Sequence, residues 1–150
     1  MRENESIGQN GGVTIFQMIG EIVWLLGQLR GYRNLFIADL DWLIIPPLLS
    51  KQFLLFREDG KPIGLALWAF LDAETEERYE AESGRLKPDE WSKGDRCWIV
   101  ELVDGKVGQE RILASLHEGA LREYDIKMHI MDESGRRKTS VMKKRDHRND

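Results

Sequence analysis

The chain has 150 residues, 41% of them hydrophobic, which suits a single domain with a real core. A formal net charge of −4 argues against a chain that binds nucleic acid over its whole surface, although residues 72–90 are acidic and the stretch from Arg136 is basic. The single cysteine, Cys97, excludes an internal disulfide framework and suits a reducing cytoplasm.

Residues 1–12 are polar and rich in Gly and Asn, without the pattern of a signal peptide, and are expected to be flexible. Thr14 and Gln17 have capping-box spacing. Ile15, Met18, Ile19, Ile22, Val23 and Leu26 then recur at helical intervals, predicting a helix over 14–27 that Gly27 could end. Gln17, Gly20, Glu21 and Gly27 interrupt the run too often for a membrane span. A loop with Gly31-Tyr32-Arg33-Asn34 follows, and Pro46-Pro47 is expected to stop any helix beyond it.

Phe53–Arg57 and Ile63–Phe70 read as strands joined at Asp59-Gly60, a hairpin signal. Both faces of the second strand are apolar, so cover is expected on both sides. Residues 73–82 suit a short solvated helix whose charges form an exposed face, and Pro88 and Gly94 mark a loop. Cys97–Val103 reads as a third strand, Gln109–Tyr124 as a helix and Ile126–Met131 as a fourth strand. From Asp132 on the chain is polar and basic, and its end is expected to be disordered. The order of elements predicts an α/β (α+β) domain with a mostly antiparallel sheet flanked by helices, over residues 13–135, followed by a basic tail over 136–150.

No phosphate-binding loop, dinucleotide fingerprint or nucleophile elbow is present. The three histidines, His117, His129 and His147, lack metal-ligand spacing with Cys97 or a carboxylate pair, so no metal site is expected. Cys97 could be a nucleophile, but a small buried hydrophobe is the commoner fate of such a residue. Five tryptophans, at 24, 42, 68, 91 and 98, suggest an aromatic core or a wall for an acyl chain. Trp24, Trp68 and Trp98, each flanked by apolar residues, are expected to be buried.

Several segments resemble the RTX toxin-activating lysine-acyltransferases. They are Ile19-Gly20-Glu21-Ile22-Val23-Trp24-Leu25, Tyr32-Arg33-Asn34, Pro46 with Gln52-Phe53, Pro62 to Trp68, and Trp91-Ser92-Lys93-Gly94-Asp95-Arg96-Cys97-Trp98. They keep family spacing from about Ile19 to Glu101 and fade beyond Val103. The resemblance implies a fold similar to the GNAT acetyltransferases. It also implies transfer of a fatty acyl group from acyl carrier protein to a lysine of an RTX-type protoxin in the cytoplasm. No bound cofactor is implied; acyl carrier protein, carrying the thioester, is co-substrate and partner. A homodimer is compatible with the resemblance.

The resemblance places the family's catalytic histidine at Tyr32, its partner aspartate at Glu101 and a further important asparagine at Leu43. Tyr32 and Glu101 are therefore the catalytic candidates, expected to face one cleft within hydrogen-bond reach. Arg33, Asn34 and Arg96 are the candidates for holding the substrate or the carrier, with structural ion pairing as the alternative for the arginines. A second reading stays open because none of the three family identities is kept. It is a diverged homologue that binds the acyl group or its carrier protein without turnover, or regulates.

Overall fold

The computed structural model describes residues 14–146, so residues 1–12 and His147 lie outside the described residues. Helix α1, Ile15–Gly27, starts where the Thr14 hydroxyl accepts the Gln17 N–H at 3.2 Å. Its buried residues, Met18, Ile22, Leu25 and Leu26, follow the helical period. Single 3₁₀ turns at Arg30–Tyr32 and Ile37–Asp39 lead into two short helices, α2 (Leu40–Leu43) and α3 (Ile45–Leu49). Pro46 and Pro47 do not stop a helix as expected. They sit in the first turn of α3, where no intrahelical N–H is required of them.

Strands β1 (Phe53–Glu58) and β2 (Lys61–Leu71) form the predicted hairpin, with Asp59 and Gly60 both at positive φ. Helix α4, Ala73–Glu82, is capped by Asp72, whose carboxylate accepts the Thr75 N–H at 2.8 Å. Strand β3 (Arg96–Val103), helix α5 (Gln109–Glu118), β4 (Ile126–Met131) and β5 (Arg137–Met142) complete the domain. Helix α5 is shorter than its pattern predicts, because Gly119 ends it before the apolar spacing runs out at Leu121. The basic stretch expected to be a disordered tail from Arg136 instead supplies β5. Its six pairs with β4 run from Ile126↔Met142 to Met131↔Arg137.

The sheet has the order β1-β2-β3-β4-β5 and is antiparallel except for β3 beside β4. Helices cover both faces of the central strands, which produces the fully apolar β2. On one face α1, the α2–α3 segment and α4 pack on Leu55, Leu65, Leu67, Ala69, Trp98 and Val103. On the other, Ile112, Leu116 and Leu121 pack on Leu54, Ala66, Trp68 and Ile99. Trp68 and Trp98 are buried as expected, as is Trp91, but Trp24 is 49% exposed on the outer side of α1.

Two irregularities in β3 position the candidate site. Leu67 pairs with Glu101 but Trp68 pairs with Ile99, so Val100 is the extra residue of a β-bulge. The parallel pairing with β4 covers only Cys97, Trp98 and Ile99. From Val100 on, the outer edge of β3 has no β4 neighbour among the described residues.

Candidate functional site

Tyr32 is held by the 3₁₀ turn that follows α1, where its N–H donates to the Leu29 carbonyl at 3.2 Å. Its ring packs against the core beneath α1, and its hydroxyl donates to Glu101 Oε2 at 2.5 Å. The two residues are 69 positions apart in sequence, and the bulge is what brings them together. Plain alternation predicts that Ile99, Glu101 and Val103 share one face. Instead Ile99 packs in the cluster under α5, while Val103 packs in the cluster under α1. The extra residue turns Glu101 onto the α1 face, where Tyr32 waits.

The pair is electrostatically strained. Burial pushes the Glu101 carboxyl above the usual carboxylate range, and the Tyr32 hydrogen bond only partly offsets this. Burial, then the negative charge of Glu101 and the hydrogen bond to it, push the Tyr32 phenol well above its ordinary value. At neutral pH Tyr32 therefore keeps its proton. Glu101 is a stronger base than a solvated glutamate. Tyr79, buried on α4, also feels the Glu101 charge, and its phenol is raised, chiefly by burial.

The other sequence candidates separate. Arg33 is exposed, follows Tyr32 directly and lines the same pocket as Tyr32. Asn34 is exposed in the same turn. Arg96 is not part of this site. It opens β3, five residues before Glu101, roughly 16 Å along a strand. Its guanidinium binds Glu76 at 2.9 Å, not the adjacent Asp95. Leu43 is a core residue and also lines the pocket beside Tyr32. Cys97 is buried, and burial pushes its thiol up to about 12, so it carries no reactive thiolate. His117 meets the Lys143 carbonyl at 2.8 Å. His129 lies against the Tyr79 and Trp98 rings, with a ring nitrogen 3.2 Å from the Glu80 carbonyl. Among the described residues, no group of three or more His, Cys, Asp or Glu could hold a metal ion.

The Trp91–Trp98 segment is structural. Both indoles are fully buried, Gln52 Nε2 donates to the Trp68 and Trp91 carbonyls at 2.9 Å, and Ser92 donates to Gln52. A Cβ on Gly94 would lie 2.2 Å from the Leu71 carbonyl oxygen, so only glycine fits where this loop crosses β2. Sequence reasoning missed the pocket of about 240 Å³ lined by Tyr32 together with Val23, Gly27, Leu35 and Phe36. Its one signal in the sequence is Leu35-Phe36-Ile37, an apolar triplet that no strand or long helix claims.

A five-stranded mixed sheet with helices on both faces defines an α+β domain consistent with a GNAT-like fold, and a hydroxyl–carboxylate pair is set at a bulge in its central strand. The chain belongs to the RTX toxin acyltransferase family, whose model matches residues 12–145. It is 38% identical over 88 residues to an RTX-II toxin-activating lysine-acyltransferase of Actinobacillus pleuropneumoniae, covering 59% of this chain and 55% of that protein. It is 34% identical over 88 residues to a leukotoxin-activating lysine-acyltransferase of Mannheimia haemolytica, covering 59% of this chain and 53% of the relative. A protein-lysine myristoyltransferase of Kingella kingae is 32% identical over the same length, with 59% and 53% covered. The chain spans about half the length of the relatives it matches. No helix among the described residues is long and apolar enough to cross a membrane.

Proposed function

We propose that this protein is a cytoplasmic lysine acyltransferase that takes a fatty acyl group from the thioester of acyl carrier protein and places it on a lysine of an RTX-type protoxin. The observation that carries the reading is the Tyr32–Glu101 hydrogen bond, formed between the two positions where the family resemblance places a catalytic pair. The names of the relatives supply the reaction class.

In this reading Glu101 accepts a proton from the incoming lysine ammonium, and the neutral amine attacks the thioester carbonyl. The C–N bond forms, the C–S bond breaks, and the leaving thiolate takes the proton back from Glu101 through the Tyr32 hydroxyl. The products are the acylated lysine and the free carrier thiol, with one proton released to solvent. Tyr32 acts as a hydrogen-bonding and relaying group, because its raised phenol is a poor base. Arg33, exposed beside the pair, suits the acidic surface or the phosphate of a carrier protein. The unpaired edge of β3 beyond Val100 offers backbone groups to the thioester arm.

The test is acyl transfer from acyl carrier protein to a protoxin fragment, read as a mass increase on lysine. Tyr32→Phe and Glu101→Gln should each lower the rate about tenfold or more, roughly 1.4 kcal/mol of barrier. Tyr32→His, which restores the family residue, should keep or raise it. Unchanged rates in both single variants would end the assigned roles. A second reading rests on the phenol at position 32, which cannot serve as a base at neutral pH. It is a diverged protein that binds the acyl carrier without turnover, and binding without transfer to any lysine would support it.

A further inference from the structure

We infer that the pocket between α1 and the Tyr32–Leu40 segment receives the acyl chain of the donor, and that Gly27 sets how long a chain it accepts. The inference rests on the acyltransferase reading for its substrate and on the geometry for its place. Tyr32 is both a wall of the pocket and the hydrogen-bond partner of Glu101, so the pocket adjoins the pair through this one side chain. Leu26, Leu43 and Ile44 form a buried floor, while Phe36 and Ile37, 75% and 86% exposed, form an apolar rim.

The polar groups of the lining are few and mostly occupied. The Asp39 carboxylate accepts the Phe36 N–H at 2.7 Å and the Trp42 indole N–H at 2.9 Å. That leaves little to hydrogen-bond a peptide or a sugar. A volume of about 240 Å³ is also below the ~300–1,000 Å³ of sites for cofactor-sized molecules. A linear hydrocarbon fits both restrictions, and each methylene that leaves water for such a wall tightens binding about fourfold.

Gly27 is the last residue of α1, lines this pocket and has no atom within 4 Å of where a Cβ would stand. A side chain there has open space at the pocket's lining and displaces nothing in the core. Gly20, on the same helix, is equally unobstructed but does not line the pocket, and so serves as the control.

The experiment compares wild type, Gly27→Leu and Gly20→Leu in two assays. One is acyl transfer from octanoyl, dodecanoyl and hexadecanoyl carrier protein. The other is binding of the fluorescent straight-chain fatty acid cis-parinaric acid, displaced by the matching free fatty acids. Gly27→Leu is expected to lower hexadecanoyl transfer and hexadecanoate binding about tenfold or more relative to octanoyl, and Gly20→Leu to preserve the wild-type profile. Equal loss at all chain lengths in Gly27→Leu would overturn the inference, as would identical profiles in all three proteins. So would a Gly27→Leu protein whose only change is from dimer to monomer in sedimentation, since the pocket would then be a contact between copies. Chain-length-dependent binding without transfer in wild type would uphold the pocket and refute the enzyme reading.

Discussion

Replacing Glu76 tests whether the acidic helix α4 hides a structural centre. The run Ala73–Glu82 reads as a solvated face, yet the Glu76 side chain is only 8% exposed. It accepts hydrogen bonds from the Trp98 indole N–H at 2.8 Å, Arg96 at 2.9 Å and Lys127 at 3.1 Å, tying α4 to β3 and β4. Glu76→Leu leaves the N–H of a fully buried indole without its acceptor, a loss of about 1–3 kcal/mol. Arg96 and Lys127 are partly exposed and regain water, so each of their bonds adds at most about 0.5 kcal/mol. The expected destabilisation is about 1–4 kcal/mol, or a Tm lowered by roughly 3–12 °C. Glu76→Gln, which keeps an acceptor for Trp98, should lose only about 1 kcal/mol. Burial pushes the Glu76 carboxyl up, but the bonds from Trp98, Lys127 and Arg96 outweigh it and hold the carboxyl below the ordinary range. With a folded pKa below the unfolded one, its stabilisation is present above the usual glutamate value and fades as pH falls through the folded value. The gap between wild type and Glu76→Gln in urea unfolding should therefore narrow on acidification below about pH 4. A Glu76→Leu protein within about 0.5 kcal/mol of wild type, or a gap that widens in acid, would refute the reasoning.

The Glu101 carboxyl is raised, so its sign is opposite: the folded state prefers it protonated. Glu101→Gln should raise the urea midpoint at neutral pH while lowering transfer, and the gain should vanish as pH drops below the ordinary glutamate range; a loss of stability at neutral pH would contradict the assigned desolvation. The Cys97 thiol, buried and pushed up to about 12, should react with a disulfide reagent only on unfolding, and stoichiometric labelling of the native protein at mildly alkaline pH would show the burial to be wrong. Truncation after Asp132 removes β5 together with the Arg137 bond to the Ala81 carbonyl and the Thr139 bond to Glu80. It should destabilise the domain by at least about 2 kcal/mol or leave it insoluble with a bare β4 edge, and an unchanged urea midpoint would exclude a role for that strand.

The elements with one strong local signal were legible in the sequence. Asp59-Gly60 announced its hairpin, Thr14 with Gln17 the start of α1, and the apolar β2 its two covered faces. What failed were readings in which local character competes with distant partners. Residues 137–142 look like a basic tail because their side chains are largely solvated, but their backbone pairs with β4, and backbone pairing leaves no hydrophobic trace. Glu76 looks exposed because its neighbours are, while its partners lie 20 to 51 residues away. Trp24 looks buried among apolar neighbours, yet three of them, Ile22, Leu25 and Leu26, take the core side of the helix and turn it outward. Of the candidate site, the pairing of Tyr32 with Glu101 was legible only through resemblance, since no spacing in one chain points across 69 residues. The pocket beside it is built from residues that read individually as core or loop.

The bulge at Val100 links these failures to the site. Strict alternation along β3 would carry Glu101 to the α5 face with Ile99, where it would meet the apolar cluster of Ile112 and Leu116. One extra residue reverses the alternation for every residue after it, so Glu101 and Val103 both turn to the α1 face, where Val103 lies in the α1 cluster. The same bulge lies where β3 parts from β4, so the backbone around Glu101 is left unpaired on that side. Each consequence is unfavourable for stability alone: a broken ladder, a buried carboxylate raised in pKa, and a phenol raised further by that carboxylate. Natural chains hold such locally unfavourable arrangements mainly where they are used. Their coincidence at one position, beside an apolar pocket that Tyr32 also lines, is a stronger argument for chemistry at this place than either residue type alone.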